Sequence, residues 1–116
     1  MNNDKVVLVV EDEPIIGFAL MDMLQELGYG KIELATTLAK ANDFLEQSKI
    51  DIALLDVNVH GERSYGLANE LRGRGVSIIF ATGYGDAEYP DALKLVPTLK
   101  KPFNQEELNA ALSKLS

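Results

Sequence analysis

The hydrophobic positions of the chain form short runs that are separated by segments of helical periodicity. Val6 to Val10, Ile52 to Leu55 and Val76 to Ala81 are nearly continuous apolar runs. Such runs are typical of strands that are buried on both faces, as in a parallel sheet covered by helices. Lys31 to Ala35 alternates and predicts a more exposed strand, and Pro97 to Lys100 predicts a short one. The pattern therefore predicts five strands.

Four other segments carry apolar residues at helical spacing. The first helix is predicted from Pro14 to about Leu27 and the third from about Tyr65 to Arg72. Thr36 or Thr37 is expected to cap the second helix. The last helix follows a sequence like a capping box that begins at Asn104.

Alternating strands and helices predict an α/β fold with a doubly wound, five-stranded parallel sheet and right-handed crossovers. The 116 residues suffice for one core but not for two, so we expect a single domain over residues 1–116. Asp86 to Val96 departs from the pattern because Pro90 interrupts it, which predicts at most a short helix there.

Composition and charge exclude several classes of function. A net charge of -7 argues against nucleic-acid binding by this chain, because phosphate contacts need clustered Lys and Arg. Without Cys there is no disulfide, thiolate metal site or cysteine nucleophile. The first residues lack the order of a signal peptide, and no apolar run approaches the roughly 20 residues that span a bilayer. We therefore expect a cytoplasmic protein without a membrane partner.

Polar and charged residues stand where the predicted strands end. They are Glu11 and Asp12 after the first strand, Asp56 after the third, Thr82 after the fourth and Lys101 after the fifth. Because the carboxyl ends of parallel strands meet at one edge of a sheet, we expect these side chains to converge. At an effective dielectric of about 20, two carboxylates roughly 4–5 Å apart repel by about 3–4 kcal/mol, so such a cluster needs a cation.

The chemistry of the cluster predicts a magnesium site. Oxygen ligands without His or Cys suit a hard ion, and Mg²⁺ with several retained waters fits two or three carboxylates. Glu11, Asp12 and Asp56 are the predicted ligands, and the backbone carbonyl of Asn58 could add another.

Lys101 and Thr82 add a mobile cation and a hydroxyl to the same edge, which together with Mg²⁺ predicts a receptor for a phosphoryl group. Asp56 can be the nucleophile, because a carboxylate can form an acyl phosphate. A cis peptide at Lys101–Pro102 would turn the lysine inward, but the sequence leaves the isomer open. Taken singly, these residues also fit ordinary roles as helix caps or turn residues. His60, the only histidine, is expected to be a solvated loop residue without a chemical role.

With these residues in place, the chain resembles the receiver domain of bacterial two-component response regulators over essentially its whole length. The resemblance implies a flavodoxin-like topology with strand order 2-1-3-4-5. It also implies a role for each matching position: Glu11 and Asp12 as the acidic metal-binding pair, Asp56 as the phosphoacceptor, Asn58 as the carbonyl ligand, Thr82 as the switch residue and Lys101 as the family's lysine.

A narrower resemblance concerns Phe80 to Tyr84, which is similar to the motif of the "FAT GUY" receivers. Asp56 to Asn58 and Gly61 to Ser64 are also typical of that subgroup. Its members often stand alone and work with histidine kinases of the HWE type. The resemblance therefore implies a sensor histidine kinase as partner. We expect an output protein of unknown identity and a monomer or weak dimer.

One position departs from the family pattern. Thr98 stands three residues before Lys101, where typical receivers carry an aromatic switch residue. We hypothesise that signalling instead orders the segment Gly83 to Val96 around the phosphoryl group.

The leading function is a phosphoryl-accepting module of a phosphorelay, in which a kinase phosphohistidine donates to Asp56 with Mg²⁺ and changes partner binding. Such a module is not an enzyme with an external product. Two alternatives stay open at this point. One is a receiver-like binding module that is never phosphorylated. The other is a Mg²⁺-dependent phosphatase with an aspartyl-phosphate intermediate, which would usually carry a second Asp where this chain has Asn58.

Overall fold

The computed structural model describes residues 4–83 and 90–115. Within these residues seven strands are formed: β1 (Val6–Val10), β2 (Lys31–Ala35), β3 (Ile52–Asp56), β4 (Asn58–Val59), β5 (Glu62–Arg63), β6 (Ser77–Thr82) and β7 (Thr98–Lys100). Five of them make one parallel sheet in the order β2-β1-β3-β6-β7. Without the short antiparallel pair β4–β5 this is the predicted order 2-1-3-4-5, so the predicted flavodoxin-like fold is confirmed.

The helices are α1 (Pro14–Glu26), α2 (Leu38–Gln47), α3 (Tyr65–Gly73) and α4 (Gln105–Ser113). Thr37 caps α2 by accepting the backbone N–H of Lys40 at 3.1 Å, which decides between the two predicted threonines. The capping box predicted at Asn104 is present, with its side chain bonded to the backbone N–H of Glu107. None of the described helices is long and apolar enough to cross a membrane.

The sheet is covered on both faces, as its continuous apolar strands require. Alternate residues of β1 show the arrangement: Leu8 and Val10 pack in a cluster with α2 and α3, whereas Val7 and Val9 pack with α1 and α4. All four are at most 1% exposed. The charged residues that follow the strands therefore stand at the border of a dry core.

The segment before β7 contains a single 3₁₀ turn, Asp91–Leu93, in its described part. Leu93 is 1% exposed and anchors the turn in the core. At most a short helix was predicted for Asp86 to Val96, and the described residues 90–96 agree with that prediction. Residues 84–89, including Tyr84 of the proposed motif, lie outside the described residues. The ordering of Gly83 to Val96 therefore stays a hypothesis.

Two features near β7 bear on the site. Thr98 is exposed, and its hydroxyl donates to the carbonyl of Val96 at 3.3 Å. The peptide bond Lys101–Pro102 is cis. The pair β4–β5, directly after Asp56, was not among the predicted strands, because two-residue strands carry no periodic pattern.

Candidate functional site

Charged side chains meet at the carboxyl ends of the parallel strands. Glu11 follows β1, Asp56 is the last residue of β3 and Lys101 follows β7. The Lys101 ammonium donates to a carboxylate oxygen of Glu11, and its Nζ lies 3.3 Å from Asp56 Oδ2. One cation thus bridges two carboxylates that come from adjacent strands.

The Asp56 carboxylate is held on two sides. Its Oδ2 faces Lys101, and its Oδ1 accepts the backbone N–H of Asn58 at 3.3 Å. The side chain is 12% exposed, so one edge of the carboxylate reaches the cleft while the rest is shielded. This exposure is what a carboxylate needs if it is to react with a group that arrives from solvent.

Three carboxylates lie within reach of one cation. Glu11, Asp12 and Asp56 each offer an oxygen, and these oxygens all lie within 4.8 Å of one another. Like Asp56, the other two side chains each accept a backbone N–H: Glu11 Oε2 accepts from Glu13 at 3.1 Å, and Asp12 Oδ2 accepts from His60 at 3.0 Å. Glu13 occupies the cap position of α1 but makes no side-chain capping bond.

The titration behaviour reflects this crowding. Burial raises the pKa of Glu11 above its ordinary value, and the attraction of Lys101 does not fully offset it. For Asp12, burial acts upward, but the backbone N–H of His60 and a bond with Glu11 outweigh it and lower the pKa. For Lys101, burial acts downward, and the two carboxylates outweigh it and raise the pKa. The lysine therefore stays a cation between the two acids.

The donor set fits a hard divalent cation such as Mg²⁺. All the side-chain ligands are carboxylate oxygens, and the cleft that they line also contains Asn58 and Gly61. Asn58 Oδ1 is buried and has no hydrogen-bond partner among the residues that the structure describes. Because Asn58 lines the same cleft as the three carboxylates, an orphaned acceptor oxygen on it is an arrangement that a cation or its bound water would satisfy.

Thr82 lies at the same edge of the sheet as the four charged residues, and its backbone bonds to one of them. It is the last residue of β6 and is 3% exposed, and its backbone carbonyl accepts the N–H of Lys101 at 2.8 Å. The next residue, Gly83, lines the cleft. The structure therefore brings Thr82 to the predicted edge of the sheet and ties its backbone to Lys101.

Several contacts of the site had no signal in the sequence, and two of them involve residues outside the predicted set. The backbone N–H of His60 bonds to Asp12, with His60 at a φ of 51°, and the Ser64 hydroxyl bonds to the carbonyl of Asp56 at 2.7 Å. A backbone N–H is common to nearly all residue types, so His60 gave no signal for this contact. A serine before an apolar helix gave only the signal of a helix cap.

Residues 7–113 match the family model of the response regulator receiver domain. The aerobic respiration control protein ArcA of Escherichia coli K12 is 34% identical over 107 residues, which cover 88% of this chain and 44% of ArcA. The chain thus spans less than half the length of this curated relative.

Two solved structures are similar to nearly the whole chain. The solution structure of SdrG from Sphingomonas melonis Fr1 has a TM-score of 0.84 and 37% identity, and covers 96% of this chain and 95% of SdrG. The crystal structure of TrrA from Thermotoga maritima, in complex with Mg²⁺ and beryllofluoride, has a TM-score of 0.78 and 30% identity, with 97% and 99% covered.

Proposed function

The chain belongs to the response regulator receiver domain family, and on that premise we propose that it accepts a phosphoryl group on Asp56 in two-component signalling. The observation that carries the proposal is the contact set of Asp56: a partly exposed carboxylate beside Lys101, with oxygens of Glu11 and Asp12 within 4.8 Å. A carboxylate in this setting can act as a nucleophile.

The proposed reaction is a transfer from a phosphohistidine. An oxygen of Asp56 forms the new P–O bond while the P–N bond of the donor breaks, and the leaving imidazole takes up a proton. The Lys101 ammonium, 3.3 Å from Asp56 Oδ2, is placed to pair with an oxygen of the transferred group. Thr82, at the end of the neighbouring strand, is the proposed hydroxyl donor.

We propose Mg²⁺ as the cofactor, held by Glu11, Asp12 and Asp56, with the backbone carbonyl of Asn58 as a further ligand. TrrA, a similar protein, has been solved in complex with Mg²⁺ and beryllofluoride. When bound, the ion supplies positive charge against the repulsion between the carboxylates and an incoming phosphoryl group.

We propose that the protein acts in the cytoplasm and that its phosphoryl donor is a sensor histidine kinase of the HWE type, the type that works with the "FAT GUY" receivers. α1 has an exposed apolar face, with Ile15 83% and Phe18 59% exposed. Ile16 lines both the cleft and an apolar groove formed with Met23 and Phe103. Such a face suits a helical protein partner that presents its phosphohistidine to Asp56.

Output is proposed to pass through a change of partner binding, without an external product. Residues 1–116 are proposed as one receiver domain that acts as a monomer or weak dimer. Neither nucleic acid nor membrane is a proposed partner, in keeping with the net charge of -7.

Intact-mass measurement after incubation with acetyl phosphate and Mg²⁺ tests the function. One phosphoryl adduct is expected on the unaltered protein and none on Asp56→Asn. Asp51→Asn is the matched control, because Asp51 stands at the other end of the same strand, and it should be labelled normally.

The other outcomes identify the alternatives. No adduct from acetyl phosphate or from phosphorylated kinases would indicate a binding module that is never phosphorylated. Continuous release of phosphate from an organic phosphate would indicate a phosphatase.

The type of kinase is tested separately. Phosphoryl transfer from a phosphorylated HWE-type kinase should be faster than from a kinase of another type, and equal rates would contradict the assignment to HWE-type kinases.

A further inference from the structure

Ser64 is a fully buried polar residue whose hydroxyl does not cap the helix that it precedes. It stands at the cap position of α3, where a serine side chain ordinarily accepts a backbone N–H of the first helical turn. It makes no such bond here. Its Oγ instead donates to the backbone carbonyl of Asp56 at 2.7 Å.

A second bond from Ser64 reaches the same stretch of backbone. The N–H of Ser64 donates to the carbonyl of Val57 at 2.9 Å. Side chain and backbone of one residue thus bind two consecutive carbonyls, those of the candidate acceptor and its successor. The short pair β4–β5 lies in between, so Ser64 closes residues 57–63 into a loop that is tied at both ends.

The closed loop carries two contacts of the site. The N–H of Asn58 bonds to Asp56 Oδ1, and the N–H of His60 bonds to Asp12 Oδ2. A shift of the loop would therefore move two of the three clustered carboxylates relative to Lys101. The carbonyl of Asn58, the proposed metal ligand, belongs to the same loop.

We propose that Ser64 is a positioning residue for phosphoryl transfer, its hydroxyl fixing the backbone of Asp56 and the loop that holds Asp12. The inference rests on the proposed function, because it assigns Ser64 a part in that same reaction. Because the Ser64 hydroxyl bonds to Asp56, it stabilises the end of β3 and leaves the start of α3 without a side-chain cap. A displacement of the reacting carboxylate by as little as 1 Å can greatly slow its reaction. Loss of the Ser64–Asp56 bond should therefore slow phosphoryl transfer.

The test compares Ser64→Ala and Ser64→Cys with the unaltered protein. The rate of phosphoryl uptake from acetyl phosphate at saturating Mg²⁺, per folded molecule, should fall by roughly tenfold to a hundredfold in both. Cysteine keeps the side-chain volume but is a weak donor, so it separates the lost hydrogen bond from a packing cavity and serves if the alanine variant does not fold. Ser113→Ala is the matched control, because it removes another hydroxyl that donates to a backbone carbonyl, far from the site.

A second measurement uses the metal-free protein. In Ser64→Cys the amides of Asn58 and His60 should exchange with solvent about tenfold faster, while the amides of β1 keep their rates. A structural role alone would lower the melting temperature and leave both the rate per folded molecule and the loop amides unchanged.

The outcomes separate the two proposals. If the unaltered protein is labelled and Ser64→Cys is labelled at the same rate per folded molecule, the role of Ser64 is wrong and the proposed function stands. If the unaltered protein takes up no phosphoryl group from any donor, the proposed function is wrong and the role of Ser64 falls with it.

Discussion

Strand β3 has an aspartate at each end, Asp51 just before it and Asp56 as its last residue. Asp51 Oδ2 accepts the backbone N–H of Val6 at 2.8 Å and so ties β3 to the start of β1. Asp56 also accepts a backbone N–H, but it shares its surroundings with Glu11, Asp12 and Lys101. The same side chain on the same strand therefore has a structural contact at one end and a charged cluster at the other.

The difference lies in what the neighbouring strands bring to each end. At the amino end of β3, Asp51 is held by hydrogen bonds to β1 and by a backbone bond from Ser77 at the start of β6. At the carboxyl end, β1 and β7 are each followed by a charged residue that reaches Asp56 or its partners. A carboxylate at a strand end becomes a candidate for chemistry only where adjacent strands deliver other charges to it.

The largest expected effect comes from removing the cation of the carboxyl end. Lys101→Met should lower the free energy of unfolding of the metal-free protein by about 3 kcal/mol, because it leaves the buried Glu11 carboxylate beside Asp56 without its partner. It should also slow phosphoryl uptake. Urea unfolding followed by circular dichroism measures the first effect.

Lys100→Met is the matched control for this change. Lys100 is the preceding residue but is exposed, so its removal should change stability by less than about 0.5 kcal/mol. Equal urea midpoints for the Lys101 and Lys100 variants would show that the bridge between Glu11 and Asp56 contributes no stability.

A change at the amino end of β3 should lower the stability of the protein but leave the rate of phosphoryl transfer to Asp56 unchanged. Asp51→Ala removes the acceptor for the N–H of Val6, and a hydrogen bond to a charged group contributes about 1.5 kcal/mol or more. The unfolding free energy should fall by about that amount, while the rate of Asp56 labelling per folded molecule stays unchanged. A slower labelling rate in Asp51→Ala would contradict the separation of the two ends.

Mg²⁺ should stabilise the protein through the carboxyl end alone. A cation that binds only the folded state adds about 1.4 kcal/mol at roughly ten times its dissociation constant, which appears as a higher melting temperature. Asp12→Asn should largely abolish the rise, because it removes one of the three clustered ligands. Asp43→Asn, an exposed position on α2, should keep it. A rise that survives in Asp12→Asn would place the cation elsewhere.

The resemblance to the receiver family implied the strand order. The sequence pattern itself was sufficient to predict the helices, the strands of the parallel sheet and the edge of that sheet where Glu11, Asp12, Asp56 and Lys101 come together. These features follow from apolar periodicity and from the rule that parallel strands end at a common edge. The roles of those side chains stay predictions.

Other contacts had no pattern to reveal them. The N–H of His60 reaches Asp12 because of a turn with a positive φ, and neither the turn nor the pair β4–β5 has a periodic signal. The position of Ser64 before an apolar helix indicates a helix cap, whereas its hydroxyl bonds to the carbonyl of Asp56. Bonds made by backbone groups and by diverted caps depend on tertiary packing, which a single sequence does not display.

The smallest expected effect concerns Tyr29, which lies near Ile52 at the amino edge of the sheet. Burial alone raises its pKa above the ordinary value of 10.0, without help from a charged partner. The folded state therefore holds the phenolic proton more firmly than the unfolded chain does. The contribution of the neutral Tyr29 phenol to the free energy of unfolding is complete below pH 10. It is lost as the pH rises through the pKa that Tyr29 has in the folded state.

Absorbance titration should show a late tyrosine ionisation in the unaltered protein that is missing in Tyr29→Phe. The urea midpoint of the unaltered protein should fall more steeply above pH 10 than that of the variant. Asp12→Asn should leave the titration of Tyr29 unchanged, because Tyr29 lies at the end of the sheet opposite to the acidic cluster. A shift of this titration in Asp12→Asn would mean that the two ends of the sheet are coupled, and that the carboxylates at its carboxyl end do not act independently of its amino end.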